Sequence, residues 1–484
     1  MTKPEVNNMT KTEVEKKQKR MDWYTLALMA FTGVWGFGNV VNGFSTFGGL
    51  KAIIPWIIIF AFYFVPYSLM VGELGSAFKD EQGGVSSWIL KTIGPKMAYY
   101  AGWTYWIVHM PYISQKPNSF MIAGSWALFQ DARISELNPM IMQGACLLVF
   151  IIALILARRG LSILKTLSSI AGMAMFVMSI LYIVMMMAAP VISTADIVPI
   201  VWEPATFMPD ISFKFFASFS ILIFAVGGCE KISPYVNKMK DPAKGFSKGM
   251  IAMAIMICVC AILGTIAMGM MFDSNNIPPD LMTNGAYYAF EKLGVHYGVG
   301  NLFVVLYALT FLTVQIAVLI MSIDAPLLML LGSADTDYIP EAMFKQNEHG
   351  AYINGHKLVA IIVGILIVIP AFGIGSVDQI VKWLVHVNAV CMPIRYLWVF
   401  LAYIMLKKAA DKFPAEYRFV KGKKLGMFFG GWCFVITAAA CIGGIYSDDL
   451  FEMALNIIIP LFLLGLGIIM PQIAKKQKAA KVAS

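Results

Sequence analysis

Long apolar runs alternate with short polar stretches along almost the whole chain. A helix needs about 20 apolar residues to cross the hydrocarbon core of a membrane. The pattern therefore predicts twelve transmembrane helices, at residues 22–47, 51–77, 97–129, 138–158, 161–189, 212–237, 246–271, 298–331, 357–376, 379–406, 426–446 and 453–473. The third and eighth runs are longer than a bilayer requires, so we expect these helices to be tilted or to extend beyond it.

The polar ends and loops predict how the chain is organised around the membrane. Residues 1–20 and 475–484 are polar and predict disordered tails on either side of one transmembrane domain at residues 21–474. Lys and Arg concentrate in both tails and in the loops on the same side, whereas the opposite loops carry Asp and Glu. Because positive charge marks the cytoplasmic side, this asymmetry predicts a multi-pass protein of the plasma (inner) membrane with both termini in the cytoplasm.

Composition supports a membrane protein and excludes several other classes. Of 484 residues, 59% are hydrophobic and 13% are charged, with mean hydropathy +0.73, whereas a soluble domain is about 25% charged. The net charge of +9 is spread over separate loops, so it indicates contact with membrane lipid rather than nucleic acid. The seven cysteines lie in apolar runs without metal-ligand spacing, and no motif of an enzyme or cofactor site occurs. We expect free thiols, no cofactor, no metal and no enzymatic activity.

Glycines interrupt two of the apolar runs. The first run contains "FTGVWGFGNVVNG" (Phe31–Gly43), and the sixth contains "FAVGGCEKISP", with Gly227 and Gly228 in its middle. Glycine-interrupted helices at matching positions are typical of two five-helix repeats of opposite topology, with a binding site at the breaks. The alternative is that the glycines only let helices pack closely, which is less expected at two matching positions.

An unwound segment at membrane depth has a physical consequence. Its free N–H and C=O groups are tolerated only where they line a cavity or meet a ligand. The N-terminus of a half-helix suits a carboxylate, and its C-terminus suits an ammonium group. Two interrupted helices together therefore predict a site for an α-amino acid.

Several motifs carry a resemblance to a known family. They are Gly36-Phe37-Gly38 at the first break, Gly228-Cys229-Glu230 followed by Lys240-Asp241-Pro242 at the second, "FVPYSLMVGELGSAFKDEQGGVSSWI" (Phe64–Ile89) and "ADTDYIPEAMFKQNEHG" (Ala334–Gly350). The chain resembles the amino acid–polyamine–organocation transporter superfamily, and most closely its glutamate/γ-aminobutyrate antiporter branch. The resemblance implies an all-α membrane protein of twelve transmembrane helices. It further implies a LeuT-type 5+5 inverted repeat with helices 1 and 6 broken.

The resemblance also implies a set of site residues. The amides of Phe37 and Gly38 would hold the substrate carboxylate, in a break that includes Trp35 and Gly36. The carbonyls of Val34, Phe224 and Gly227 would hold the α-amine. The ring of Phe224 would cover the substrate, Ser322 would line the pocket, Glu230 would act in gating or proton coupling, and Tyr396 would line the route.

Charged groups within apolar runs are functional candidates because they are costly in a membrane. They are Glu73, His109, Lys116, Glu230, Lys231, Asp324, His386 and Arg395.

Lys116 shares one face of a predicted helix with His109 and Ile113, because it lies seven residues after His109 and Ile113 lies four residues after His109. Counted from Tyr105-Trp106, this face resembles the substrate-lining face of the third helix in the family, so the resemblance implies that these three residues line the substrate site. The alternative for Lys116 is a structural ion pair with Asp324 or Glu230.

The remaining charged groups have separate expectations. Asp324 is a candidate site residue, and Glu73 is expected to be structural. Lys231 follows Glu230 directly and is expected to reach a partner on the cytoplasmic side. Arg395 could bind a carboxylate or neutralise Glu73, and both alternatives stay open.

These observations predict alternating-access transport of an amino acid or amine. We expect exchange of an acidic or neutral amino acid for a related, decarboxylated product. Proton-coupled symport through Glu230 is the alternative, and a transporter-like sensor is less expected. Both a monomer and a homodimer are compatible with the sequence.

Overall fold

The protein is described by a computed structural model that covers residues 21–159, 161–332, 334–372, 376–447 and 449–483. The described residues are almost entirely helical, with two isolated β-bridges and no β-strand. The all-α prediction is confirmed. The predicted N-terminal tail at residues 1–20 lies outside the described residues.

The α-helices are numbered here in chain order. They are α1 Trp23–Val34, α2 Gly38–Phe47, α3 Ile53–Ile59, α4 Val65–Ala77, α5 Val85–Thr92, α6 Pro95–Ile107, α7 His109–Leu128, α8 Pro139–Ala157, α9 Leu161–Ile192, α10 Pro204–Phe207, α11 Phe213–Val226, α12 Pro242–Gly269, α13 Leu281–His296, α14 Leu302–Leu331, α15 Ile353–Val368, α16 Val377–Ile394, α17 Tyr396–Lys408, α18 Lys423–Gly443, α19 Leu450–Gly465 and α20 Ile469–Ala483. A π-helical segment, Phe60–Phe64, joins α3 to α4, and a 3₁₀ helix, Cys229–Lys238, follows α11.

Many of these helices are suited to a membrane. Within the described residues, nine helical segments are long and apolar enough to cross a bilayer, and the pair α1 and α2, bent by 40°, makes a tenth. Helix α15 is apolar but shorter. The chain is therefore a multi-pass membrane protein.

The end of the chain differs from its prediction. Residues from Lys475 were expected to form a disordered tail, but α20 continues through Ala483. Residues such as Ala474, Ala479 and Ala480 favour a helix, and the lysines among them lose little side-chain freedom there.

Both predicted helix interruptions are present. Helix α1 ends at Val34, Trp35 is extended with φ −105° and ψ 137°, and α2 begins at Gly38. Helix α11 ends at Val226, and Gly228 has φ +110°. That left-handed conformation favours glycine because other side chains clash with the backbone there. The chain then continues as the 3₁₀ helix Cys229–Lys238.

The helices that surround the interruptions form the core of the protein. Helix α1 packs against α9 and α12, and α14 packs against α7 and α9. The start of α1 is also joined to the end of the 3₁₀ helix. The amide of Met21 donates to the carbonyl of Lys238, and the amide of Lys240 donates to the carbonyl of Met21, each at 2.9 Å. The two interrupted segments are thus held side by side.

Candidate functional site

A cavity of about 150 Å³ lies where the two interruptions meet. It is lined by both breaks and by side chains of α7, α13, α14 and α16. Eight of the residues predicted from the sequence line it, namely Val34, Trp35, Gly36, Gly38, Lys116, Phe224, Gly227 and Tyr396. This arrangement places backbone groups of both breaks and polar side chains around one cavity.

The first break offers donors to this cavity. The amides of Asn39 and Val40 are used in turns, bonded to the carbonyls of Gly36 and Phe37. Among the hydrogen bonds of the described residues, the amides of Phe37 and Gly38 have no acceptor. They lie at the N-terminus of α2, where the helix dipole favours an anion. The arrangement can bind a carboxylate.

The carbonyl ends of the two half-helices are connected by Asn39. Its side-chain amide donates to the carbonyl of Val34 at the end of α1 and to the carbonyl of Ala225 near the end of α11, both at 3.1 Å. Sequence reasoning missed this residue. The signal was an asparagine directly after the first break, within an apolar run.

Three cationic side chains line the cavity, and no described residue that lines it is acidic. They are Lys116 of α7, Lys231 of the 3₁₀ helix and Arg395 between α16 and α17. The ammonium groups of Lys116 and Lys231 lie 4.1 and 4.8 Å from the centre of the Tyr112 ring. Cation–π contact with a tyrosine lowers the cost of burying an ammonium. The ionisable side chains that line the cavity are therefore basic.

Arg395 is part of a buried cluster around Glu230. The Arg395 Nε and the Glu230 carboxylate are 3.4 Å apart, an ion-pair distance without the alignment of a hydrogen bond, and both side chains are at most 1% exposed. Glu230 also accepts hydrogen bonds from the hydroxyls of Tyr105, at 2.5 Å, and Tyr67. The guanidinium further contacts His109 and donates to the Tyr396 hydroxyl. Glu230 itself lies behind the cavity wall.

Three predicted side chains near the first break and on α7 point away from the cavity. The Phe37 ring is buried against Tyr182, Phe290 and Tyr307. On α7 the lining face is Tyr112, Gln115, Lys116, Ser119 and Ile122. His109 continues that face one turn further but lies behind Arg395, and Ile113 lies to its side and is fully buried.

Two predicted residues of α14 are also outside the cavity lining. Ser322 lies behind Lys231, with its hydroxyl 3.4 Å from the ammonium. Asp324 accepts a hydrogen bond of 2.7 Å from Tyr235. Within the described residues, neither Asp324 nor Glu230 is within ion-pair distance of Lys116, so the predicted alternative of a Lys116 ion pair is wrong.

The expectation for Lys231 is corrected, and one of the two alternatives for Arg395 is excluded. Lys231 was expected to reach a cytoplasmic partner, but it is 1% exposed and faces the cavity. The reason is that the 3₁₀ helix is buried on all sides from Cys229 to Val236, so a neighbour of Glu230 can still point into the protein. Arg395 contacts Glu230 and not Glu73.

Glu73 is structural, as predicted. It accepts hydrogen bonds from the Tyr403 hydroxyl, the Lys407 ammonium and the Phe419 amide, at 2.9, 2.5 and 3.0 Å. Both members of the Glu73–Lys407 pair are at most 4% exposed. The pair joins α4 to α17 outside the cavity.

Aromatic side chains of α13 and α14 pack against one another at the cavity wall. Tyr307 stacks on Phe290 with ring centres 4.5 Å apart and on Phe311 with centres 5.7 Å apart. Tyr287, on α13, packs edge-on against Tyr307. The α13 residues Met282, Thr283 and Ala286 also line the cavity. Helix α13 thus contributes to the cavity wall.

Apolar membrane-crossing segments with two interrupted helices around a polar cavity form the architecture of a membrane transporter. The chain belongs to the amino acid permease family, whose model matches residues 21–467. The resemblance to the amino acid–polyamine–organocation superfamily is confirmed.

Individual relatives and one solved structure extend this result. The chain is 46% identical to the aspartate/glutamate permease AcaP of Lactococcus lactis subsp. cremoris, over 95% of this chain and 96% of that protein. It is 20% identical to the glutamate/gamma-aminobutyrate antiporter of Lactococcus lactis subsp. lactis, over 80% and 76%. A crystal structure of the Eremococcus coleocola manganese transporter is similar in fold, with TM-score 0.59, 13% identity and 97% coverage of both chains. The chain is an amino acid transporter by family.

Proposed function

We propose that the protein is a secondary active transporter of acidic amino acids that works by alternating access. One observation carries this proposal. The cavity between the two interrupted helices is lined by Lys116, Lys231 and Arg395, and by no acidic residue among those described. An aspartate or glutamate brings one net negative charge, which such a cavity attracts and a cationic amino acid lacks. The 46% identical relative, named an aspartate/glutamate permease, agrees with this substrate class.

The substrate backbone binds at the two breaks. Its α-carboxylate meets the amides of Phe37 and Gly38 at the positive end of α2. Its ammonium group meets carbonyls at the ends of α1 and α11, those of Val34, Phe224 and Gly227. Of these carbonyls, that of Val34 already accepts a hydrogen bond from the Asn39 side chain, whose amide also donates to the carbonyl of Ala225. The ammonium therefore joins an existing polar cluster.

Phe224 and Tyr396 border the bound substrate. The Phe224 ring lines the cavity and meets the Tyr112 ring edge-on, with centres 6.1 Å apart. It covers the substrate on the side of α11. Tyr396 lines the cavity next to Gly227 and forms the route on the other side.

The membrane topology completes the proposal. The chain crosses the plasma (inner) membrane twelve times as a 5+5 inverted repeat, with both termini in the cytoplasm. Support comes from the twelve apolar runs, the interruptions in the first and sixth of them, and the side on which Lys and Arg concentrate.

The transport mode has two candidates. Exchange of an acidic amino acid for a related product is the first, and antiporters among the relatives favour it. Proton-coupled uptake is the second, and the contacts of Glu230 favour it. Glu230 is a buried carboxylate that contacts Arg395, which lines the cavity, so a change at the cavity can reach it through this contact.

Reconstitution into proteoliposomes tests the function and separates the two modes. Vesicles loaded with unlabelled aspartate should accumulate labelled aspartate from outside. Empty vesicles with an acidic exterior should accumulate it only if uptake is proton-coupled. No aspartate or glutamate uptake under either condition would contradict the proposed function.

A further inference from the structure

We propose that the side-chain carboxylate of the acidic substrate is bound by Lys116 and Lys231 beside Tyr112, and not by Arg395. The inference rests on the proposed function and names the residues that distinguish an acidic substrate from its neutral amide. It separates the three cations of the cavity into two that are available to a ligand and one that is already occupied.

Lys116 and Lys231 have no anionic partner. Among the described residues, no carboxylate lies within ion-pair distance of either ammonium. The neighbours of Lys231 are the neutral Ser322 hydroxyl, at 3.4 Å, and the Tyr112 ring. The neighbour of Lys116 is the same ring. Lys407, the other buried lysine of the core, is by contrast paired with Glu73.

Lys231 is buried without a counterion, which is costly, and its ammonium and that of the half-buried Lys116 share one aromatic ring and repel each other. A carboxylate placed beside Tyr112 removes both costs at once. The two lysines come from α7 and from the 3₁₀ helix that follows the second break. The substrate side chain would therefore connect the interrupted helix to α7.

Arg395 would be the expected ligand of the substrate's side-chain carboxylate, because a guanidinium binds a carboxylate through two donors. Its environment argues otherwise. Arg395 already has the Glu230 carboxylate at 3.4 Å, the Tyr396 hydroxyl at 3.2 Å and His109 as neighbours. Its charge is already balanced by Glu230, so a substrate carboxylate gains less there than beside the two lysines.

The test compares aspartate with asparagine, which have nearly the same shape and differ by one charge. Equilibrium binding of both is measured on the purified full-length protein and on Lys116→Met, Lys231→Met and Arg395→Met. Lys407→Met is the matched control, because it removes a buried lysine outside the cavity. We expect each of the first two variants to lose about tenfold or more in aspartate affinity while asparagine affinity changes little.

The two control variants should leave the ratio of aspartate to asparagine affinity unchanged. Lys407→Met should keep the wild-type ratio of aspartate to asparagine affinity although it unfolds more easily. Arg395→Met should weaken both ligands together. Thermal unfolding gives a second readout, because Lys116→Met and Lys231→Met remove unpaired charges and should be at least as stable as the wild type.

Several outcomes would overturn the inference. One is an equal loss of aspartate and asparagine affinity in both lysine variants. Another is a change of the ratio in Arg395→Met alone. A third is thermal destabilisation of both lysine variants as large as that of Lys407→Met. If the wild type prefers aspartate and the lysine variants keep that preference, only this inference fails. If the wild type binds neither aspartate nor glutamate, the proposed function fails with it.

Discussion

Glu230 and Arg395 form an ion pair inside the protein, 3.4 Å apart, although they lie about 165 residues apart in the chain and neither side chain is more than 1% exposed. Glu230 follows the break of the second interrupted helix, and Arg395 lies between α16 and α17. The pair thus connects the 3₁₀ helix after the second break to the junction of α16 and α17. This connection gives the first prediction.

Removal of one partner of this pair should destabilise the protein strongly. Glu230→Gln or Arg395→Met alone leaves a buried charge without its partner, which costs about 3–5 kcal/mol. The double variant Glu230→Gln with Arg395→Met should recover a large part of that loss. Thermal or chemical unfolding of the four proteins in detergent measures the coupling. Additive losses would show that the two side chains do not interact.

The two breaks should respond differently to the addition of a methyl group. A Cβ at Gly227 would overlap the Tyr396 side chain, whereas no described residue has a heavy atom within 4 Å of a Cβ at Gly38. Gly227→Ala should therefore abolish transport and lower stability, and Gly38→Ala should fold normally. Gly38→Leu should insert into the membrane as the wild type does but lose transport, because its side chain fills the carboxylate position. Wild-type affinity in Gly38→Leu would contradict the assignment of this site.

The flat shape of the Phe224 ring should be needed for fast transport. It packs edge-on against Tyr112 at the cavity wall. Phe224→Ala should reduce the rate of transport far more than Phe224→Trp, because a flat ring is needed to cover the substrate. Initial uptake rates in proteoliposomes measure the difference, and equal rates in both variants would count against a covering role.

The Glu73–Lys407 pair should affect stability and leave selectivity unchanged. Both side chains of the pair are buried, so Lys407→Met should lower the free energy of unfolding by about 3–5 kcal/mol. The exposed pair of Lys79 and Glu416, with side chains 40% and 48% exposed, provides the comparison. Lys79→Met should cost at most about 1 kcal/mol. Unfolding measurements test both values, and a large change of substrate preference in Lys407→Met would contradict a purely structural role.

Much of the fold could be predicted from local sequence. Apolar length located most of the long helices but not α5 or α13, which lie outside every predicted run. The glycines at Gly36–Gly38 and Gly227–Gly228 located both breaks, because this signal acts within a single segment. The helical end of the chain beyond Lys475 could not be separated from a disordered tail by polarity alone. The alanines in this segment favour a helix, but a prediction from polarity alone does not take them into account.

The partners within the site could not be predicted in the same way. Lys116 was correctly placed at the cavity by the face of its helix. Lys231 was misplaced, because a 3₁₀ segment buried on every side lets adjacent residues both point inward. The Glu230–Arg395 pair joins segments that are far apart in sequence, so no local pattern contains it. Asn39 required knowledge of where the carbonyls of Val34 and Ala225 lie.

The central claim is that the cavity selects acidic amino acids through its excess of positive charge. Equilibrium binding of aspartate, glutamate, asparagine and arginine to the purified wild-type protein tests it most directly. Attraction between unit charges about 4 Å apart is roughly 4 kcal/mol at an effective dielectric of 20, before desolvation is subtracted. We expect aspartate and glutamate to bind about tenfold or more tightly than asparagine, and arginine not to compete. Binding of arginine as tight as that of aspartate would contradict the account.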